Sequence, residues 1–157
     1  MTEYKFKIIG DGAVGKTTFI NRLTSGDFTN NGNDDKTITW EKNLPIHIKT
    51  SLNTDADGVV LMFDIHRPES FKYLEKYLVA DVPLVLVGNK CDIEFEEDSV
   101  KNDLDKNEDS YSDNTENRWY IKKWRELQQN GTKMKFYEIS AKSGYNLDKP
   151  FNALINF

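Results

Sequence analysis

The 157-residue sequence contains one cysteine, two histidines and four prolines, and the first of these scarcities is the most informative. A single cysteine, Cys91, cannot form a disulfide within the chain, so we expect a reducing, intracellular compartment rather than secretion. No apolar run approaches the roughly 18 residues of a membrane-spanning helix. Neither end carries a secretion or lipidation signal, so we expect a cytoplasmic or nuclear chain without a membrane anchor.

Basic residues do not outnumber acidic ones. The chain has 21 Lys and Arg against 26 Asp and Glu, a net charge of −5. Residues 93–117 hold ten acids and two lysines (−8), which leaves 16 acids and 19 bases (+3) elsewhere. This balance does not predict a nucleic-acid partner. The acidic segment matches no helix or strand pattern, so we expect a flexible, solvated insertion; a tail that docks on a partner is the alternative.

Apolar runs and amphipathic segments alternate along the sequence, which predicts an α/β fold with a mostly parallel sheet of about six strands. Continuous apolar runs, typical of strands buried on both faces, are residues 59–64 and 84–87. Further strands are predicted at residues 4–9, 37–42, 46–50 and 135–139. Helices are predicted at residues 16–24, 68–78 and 119–129 and from about Pro150, with Asp148 as the last helix's cap. The length fits one domain over residues 1–157.

The most specific motif is Gly10-Asp11-Gly12-Ala13-Val14-Gly15-Lys16-Thr17, which fits G-x-x-x-x-G-K-[ST] between a predicted strand and helix. Its glycines permit a loop whose N–H groups surround phosphate oxygens, and the helix N-terminus adds its positive dipole. Lys16 reaches the outer phosphates in such loops, and the Thr17 hydroxyl binds Mg²⁺. A glycine-rich turn that matches by chance is the alternative. We expect a nucleoside di- or triphosphate held by Asp11, Gly12, Ala13, Val14, Gly15, Lys16, Thr17 and Thr18.

A second motif, Asn89-Lys90-Cys91-Asp92, follows a predicted strand, where ligands bind in open parallel sheets. The Asp92 carboxylate can accept hydrogen bonds from guanine N1–H and the 2-amino group, a pair of donors that adenine lacks. The aliphatic part of Lys90 can cover the base. Ser140-Ala141-Lys142 follows the next strand, and its N–H groups can meet guanine O6. Ordinary polar loops are the alternative at both places.

Together, residues 10–17, 89–92 and 140–142 resemble the ordered motifs of Ras-like small GTPases over nearly the whole chain. The resemblance implies a three-layer P-loop fold that binds GTP or GDP with Mg²⁺. Residues 10–19 and 140–151 are similar to Ran, a nuclear-transport GTPase, and residues 56–64 are equally similar to Rab proteins. The resemblance also places Phe28 at the guanine edge, although a core or loop phenylalanine is the alternative.

The same resemblance assigns the switch I threonine, which binds Mg²⁺ and contacts the γ-phosphate. Thr37 best matches this position and Thr39 is the second choice, while a threonine on a strand surface is the alternative. Lys16 and Thr37 are therefore the predicted catalytic residues, and Thr17 and Thr37 the predicted Mg²⁺ ligands.

The switch II region of this family has no counterpart in the sequence. Family members carry D-x-x-G-Q after the third strand, followed by a helix, and the glutamine orients the attacking water. Asp55-Ala56-Asp57-Gly58 fits D-x-x-G only formally, because it runs directly into the predicted strand 59–64. No glutamine lies between Thr37 and Asp64. About a dozen residues, including one helix, are absent on this alignment.

The sequence is compatible with three functions. The first is a monomeric Ran-like or Rab-like GTPase with slow or partner-dependent hydrolysis and protein regulators or effectors. The second is a catalytically degenerate guanine-nucleotide-binding module that acts through protein contacts in nuclear transport or trafficking. The third, another P-loop enzyme such as a nucleotide kinase, is disfavoured because no arginine-rich lid is visible.

Overall fold

The computed structural model describes residues 3–24, 29–30, 36–40, 44–49, 56–78, 82–90, 118–131 and 134–156. Phe28, Cys91, Asp92 and the acidic segment 93–117 lie outside the described residues, so the expectations about them stay predictions.

The described part of the chain contains seven strands and four α-helices. The strands are β1 (Tyr4–Ile9), β2 (Thr29–Asn30), β3 (Lys36–Trp40), β4 (Leu44–Lys49), β5 (Gly58–Asp64), β6 (Leu84–Asn89) and β7 (Lys135–Glu138). The helices are α1 (Lys16–Thr24), α2 (Pro68–Leu74), α3 (Trp119–Gln129) and α4 (Lys149–Ile155), and a 3-10 turn, Glu75–Tyr77, extends α2. The longest of these helices has 11 residues, and no described helix is long and apolar enough to cross a bilayer.

All seven strands form one sheet in the order β2-β3-β4-β1-β5-β6-β7. The five strands from β4 to β7 in this order are parallel, and β2 and β3 are antiparallel to their neighbours. The prediction of a mostly parallel α/β fold is therefore confirmed. The strand that sequence reasoning missed is β2, whose two residues show no hydrophobic pattern and exist only through pairing with β3.

Helices cover both faces of the sheet. Every residue of β5 is buried, and its side chains alternate between two apolar clusters. Val60 and Met62 pack in one cluster with Phe19 of α1 and Phe151 of α4. The other cluster contains Phe71 of α2, Tyr120 of α3 and the alternate β5 residues Val59, Leu61 and Phe63. Each fully buried side chain of this size contributes about 1.5–3 kcal/mol relative to exposure. The continuous apolar run predicted a strand of this kind, and the three-layer arrangement explains it.

The ends of α1 and α3 agree with the sequence, whereas α2 ends at Leu74, before the predicted residue 78, and α4 lacks its predicted cap. The predicted stop at Asn130-Gly131 is confirmed, because Gly131 has φ 89° and its N–H donates to the Gln128 carbonyl at 3.2 Å. Asp148 precedes α4 as predicted, but its side chain makes no capping hydrogen bond. Its backbone is already helical (φ −78°, ψ −21°), and its carboxylate instead accepts a hydrogen bond from Asn152 Nδ2 at 3.4 Å.

The link between β4 and β5 spans residues 50–57, eight positions, although the two strands flank β1 on opposite sides. Parallel crossovers generally need a dozen or more residues. Here β4 ends level with Lys7, and β5 begins level with Phe6. Lys49 and Gly58 therefore lie nearly level on either side of β1, about 10 Å apart for two strand spacings. Asp57, next to β5, is bound to β1: its N–H donates to Lys5 O at 2.7 Å, and its carboxylate accepts from Lys5 N at 2.9 Å.

Candidate functional site

The glycine-rich loop joins β1 to α1 at the carboxyl edge of the parallel strands, and close packing explains two of its glycines. A Cβ on Gly10 would lie 2.6 Å from the Met62 carbonyl oxygen of β5. Gly15 has φ 97°, and a Cβ there would collide with Asn89 Nδ2. Gly12, in contrast, faces open space. The loop is thus pressed onto β5 and β6 on one side and open on the other, as a phosphate cradle requires.

The Asn89 side chain connects the glycine-rich loop to the third motif. Its Nδ2 donates to Val14 O at 2.8 Å, and its Oδ1 accepts from Ala141 N at 3.0 Å and Lys90 N at 2.8 Å. Asn89 is only 2% exposed. Because β6 extends to Asn89, two residues beyond the predicted strand, this side chain is held between both loops. Asn89 is therefore a positioning residue in this structure, and its assignment as a guanine-binding residue stays a prediction.

Lys90 follows β6 in a left-handed conformation, φ 75°. Its Nζ donates to Ala13 O at 3.1 Å and forms an ion pair with Asp64 Oδ2 at 3.0 Å. Asp64 is buried at the end of β5, and its other carboxylate oxygen accepts from His66 N at 2.9 Å. The Lys90 ammonium is thus fixed against the loop, which leaves its aliphatic part as the group that can cover a base.

Lys16 and Asp11 lie at the open side of the loop. Lys16 Nζ donates to Gly10 O at 2.6 Å, and no carboxylate among the described residues forms an ion pair with it. Asp11 Oδ1 accepts from Gly12 N at 2.6 Å, and its Oδ2 accepts from Arg67 Nη2 at 3.3 Å. Thr17 and Thr18 are exposed in the first turn of α1. An unpaired ammonium beside a helix N-terminus can hold a phosphate chain, and the Thr17 hydroxyl can reach a cation bound to that chain.

The third motif forms a tight turn after β7. Ser140 N donates to Tyr145 O at 3.1 Å, and Ser143 N donates to Ser140 Oγ at 3.0 Å. Ser140 and Ala141 are buried and Lys142 is exposed. Because Ala141 N donates to Asn89, this N–H is directed to the protein rather than to guanine O6. The structure therefore brings together the phosphate loop, the third motif and the described part of the second motif, Asn89 and Lys90, with the peptide groups of the third motif serving as support.

Thr37 does not lie beside Thr17 in this structure, contrary to the sequence-based expectation. It is the second residue of β3 and pairs with His47 of β4, which in turn pairs with Lys5 of β1. Lys5 is four residues, or about 13 Å, before the end of β1, where the loop begins. Thr39, the second choice, is farther still along β3. The antiparallel pairing carries both threonines away from the carboxyl edge, which no local sequence pattern indicated.

The formal D-x-x-G motif also lies away from the glycine-rich loop. Asp57 contacts Lys5, and Gly58 begins β5 at the opposite edge of the sheet. A Cβ on Gly58 would lie 3.0 Å from a Leu154 methyl and 3.3 Å from the Phe6 ring, so this glycine packs in the core. Asp55 lies outside the described residues.

Sequence reasoning missed two charged residues at the site, Asp64 and Arg67. The sequence pattern could have identified Asp64, because an acidic residue that ends a fully apolar run is expected at the carboxyl edge of a buried strand. No sequence pattern indicated Arg67, since its position beside Asp11 depends on the neighbouring placement of β1 and β5.

One titrating group with a clear environment lies near the third motif. Burial raises the pKa of the Tyr120 phenol above its usual value, and a hydrogen bond from its hydroxyl to the Glu138 carboxylate raises it further. Arg118 Nη1 donates to the same hydroxyl at 3.2 Å and acts in the opposite direction. Asn146 Nδ2 donates to Glu138 O at 3.1 Å, so this cluster anchors the turn that follows β7.

Comparisons with known proteins agree with this arrangement. The Ras family model matches residues 46–157, more than two thirds of the chain. The Ras-related protein Rab-13 of Mesocricetus auratus is 28% identical over 178 aligned positions, covering 96% of this chain and 77% of the relative. The Rab-13 of Bos taurus is 26% identical with the same coverage. The family match and the α/β fold together establish that this chain belongs to the Ras family of small GTP-binding proteins.

Proposed function

We propose that this chain binds GTP and GDP with Mg²⁺ through residues 11–18 and a guanine pocket around residues 89–92 and 140–142. The observation that carries the proposal is the Asn89 side chain, which holds the phosphate loop and the third motif in one hydrogen-bonded unit. GTP hydrolysis is the general activity of the family. A bound nucleotide would supply the phosphate chain, and Thr17 would hold its Mg²⁺.

Guanine selectivity in this proposal comes from Asp92, with Lys90 and Phe28 against the faces or edge of the base. Asp92 follows Lys90 by two residues, and Lys90 is fixed to the loop by Ala13 O and Asp64. A carboxylate that accepts from two adjacent guanine donors discriminates strongly against adenine, because mispairing leaves buried groups unsatisfied. Asn89, Ser140, Ala141 and Lys142 form the supporting wall.

We propose that the region corresponding to switch II is absent from this chain and that hydrolysis is therefore slow or depends on a partner. Eight residues join β4 to β5, and Asp57 and Gly58 lie at the edge opposite the phosphate loop. The alignment with Rab-13 spans 178 positions against 157 residues here, so at least 21 positions of that relative face a gap in this chain. Lys16 would remain for charge stabilisation, whereas a water-orienting glutamine and a second Mg²⁺ ligand at Thr37 have no geometric support.

The relatives favour a Rab-like role in trafficking, while the residues of the phosphate loop and the third motif retain similarity to Ran. In either role the chain would act as a monomer in the cytoplasm or nucleus through protein regulators or effectors. The second candidate function is a binding module that keeps the nucleotide without hydrolysing it, and the short β4–β5 link favours this candidate.

Nucleotide competition tests the binding proposal. A fluorescent GDP analogue bound to the native protein should be displaced by GDP and GTP, and ADP should compete at least a hundredfold less well. Asp92→Asn should weaken GDP binding by about a hundredfold and improve the binding of xanthosine diphosphate, because the amide offers a donor where xanthine has a carbonyl. Equal competition by GDP and ADP would exclude the guanine pocket.

Single-turnover hydrolysis separates the two candidate functions. With Mg²⁺ and excess protein, we expect phosphate release below about 10⁻⁴ per second without a partner. Lys16→Ala is the control for background hydrolysis. Release above that control, alone or with cell extract, supports a GTPase; release that never exceeds it leaves the binding module.

A further inference from the structure

Arg67 lies on the turn between β5 and α2, directly beside the phosphate loop. β1 and β5 are parallel neighbours, with Ile9 level with Leu61, so both strands lead into loops at the same edge of the sheet. Arg67 precedes Pro68, the first residue of α2, and its N–H donates to Asp64 O at 3.0 Å. The turn is therefore fixed by backbone contacts, and it directs the Arg67 side chain to Asp11.

The three nitrogens of the Arg67 guanidinium differ in their contacts. Nη2 donates to Asp11 Oδ2 at 3.3 Å, and Nε donates to Glu69 Oε1 at 3.2 Å. Nη1 is buried and has no hydrogen-bond partner among the residues that the structure describes. A buried charged donor without an acceptor is unfavourable and rare in folded proteins. The guanidinium, whose side chain is one third exposed beside the loop, thus has a donor that no described residue satisfies and that a bound anion can satisfy.

Lys16 indicates which end of the phosphate chain Arg67 faces. Its Nζ contacts Gly10 O at 2.6 Å, so the lysine extends back along the loop toward its first residue. In loops of this type the lysine reaches the outer phosphates, while the helix N-terminus holds the inner ones. Asp11 follows Gly10 directly and binds Arg67. Arg67 therefore lies at the outer-phosphate end of the loop.

We propose that Arg67 binds the outermost phosphate of GTP and gives the site a preference for GTP over GDP. This inference rests on the proposed nucleotide binding. Asp11 holds the guanidinium through Nη2, and Nη1 donates to a γ-phosphate oxygen in a charge-assisted hydrogen bond. The β5–α2 turn thereby supplies a γ-phosphate contact in a chain whose β4–β5 link has only eight residues.

The test compares GDP with the non-hydrolysable β,γ-imido analogue of GTP, each competing with a fluorescent GDP analogue in the presence of Mg²⁺. Arg67→Ala should lower the affinity for the imido analogue about tenfold more than it lowers the affinity for GDP. Arg67→Lys should recover only part of the loss, because an ammonium lacks the planar fork that contacts two anions at once. Arg125→Ala, which removes an exposed arginine of α3, is the matched control and should change neither affinity.

The outcomes separate this inference from the function on which it rests. A native protein that binds neither nucleotide overturns both. Native binding with an unchanged ratio of GTP to GDP affinity in Arg67→Ala overturns the inference alone, whether both affinities fall equally or neither falls. If Arg67→Ala does not fold, Arg67→Gln keeps most of the side-chain length and gives the same comparison.

Discussion

The two sides of the sheet differ in how they are held. On the β5–β6 side, the phosphate loop is bound by three side chains from two points of the sequence, Arg67 and the adjacent pair Asn89 and Lys90. On the β3–β4 side, the hairpin is held by backbone pairing, and its threonines lie away from the loop. In the family, nucleotide binding depends on the first side, and switching depends on elements that adjoin the second. This difference is the basis of the proposal that nucleotide binding persists while hydrolysis and switching weaken.

The largest effect is expected from Asn89→Ala, which removes the contacts that hold the phosphate loop on the β5–β6 side. The substitution leaves Val14 O and Ala141 N without their partner in a buried site, which should cost about 3 kcal/mol of unfolding free energy. GDP affinity should fall at least a hundredfold, because the phosphate loop and the base pocket lose their common support. Chemical denaturation and nucleotide competition measure the two effects. Asn156→Ala, which removes an exposed asparagine, is the control; an equally small effect of both would refute the positioning role.

A smaller effect is expected at Tyr120, which anchors the turn after β7. Tyr120→Phe keeps the ring but removes the hydrogen bonds with Glu138 and Arg118, and should cost about 1 kcal/mol at neutral pH.

The raised pKa of Tyr120 also gives a pH dependence with a definite sign. Above about pH 10 the phenol ionises in the unfolded chain but stays protonated in the folded one, so unfolding releases a proton and stability falls as the pH rises. The difference between the urea midpoints of native and Tyr120→Phe protein should therefore shrink from pH 8 to pH 10.5. A constant difference would contradict the assignment.

The smallest effect is expected at Asp57, which lies away from the phosphate loop. Asp57→Ala removes the carboxylate that accepts from Lys5 N, at the edge away from the loop. We expect a stability loss of about 1 kcal/mol or less and no change in the Mg²⁺ dependence of GDP binding. A titration of GDP affinity against Mg²⁺ concentration decides the point. A clear loss of Mg²⁺ dependence would place Asp57 near the metal and contradict its position at the edge away from the loop.

The strands and helices that sequence reasoning predicted best are those with a local signal. β1, α1 and α3 have the predicted bounds, because apolar spacing, glycine stops and the loop motif are all encoded in neighbouring residues. The errors concern non-local pairing: the extension of β6 to Asn89, the two-residue β2 and the position of Thr37. The predicted position of Asp148 before α4 is correct, but its side chain makes no capping hydrogen bond, because its backbone is already helical.

The sequence alone determined that this chain has a phosphate-binding loop, a buried parallel sheet and three motifs in family order. Each motif, and each strand of the sheet, is recognisable from a few adjacent residues. Tertiary structure decided what these residues do for one another. It made Asn89 a brace between two loops, directed Lys90 to Ala13 and Asp64, and brought Arg67 to Asp11. These contacts join residues more than 50 positions apart, or depend on a backbone turn such as that of Lys90, so only the order and register of the strands could determine them.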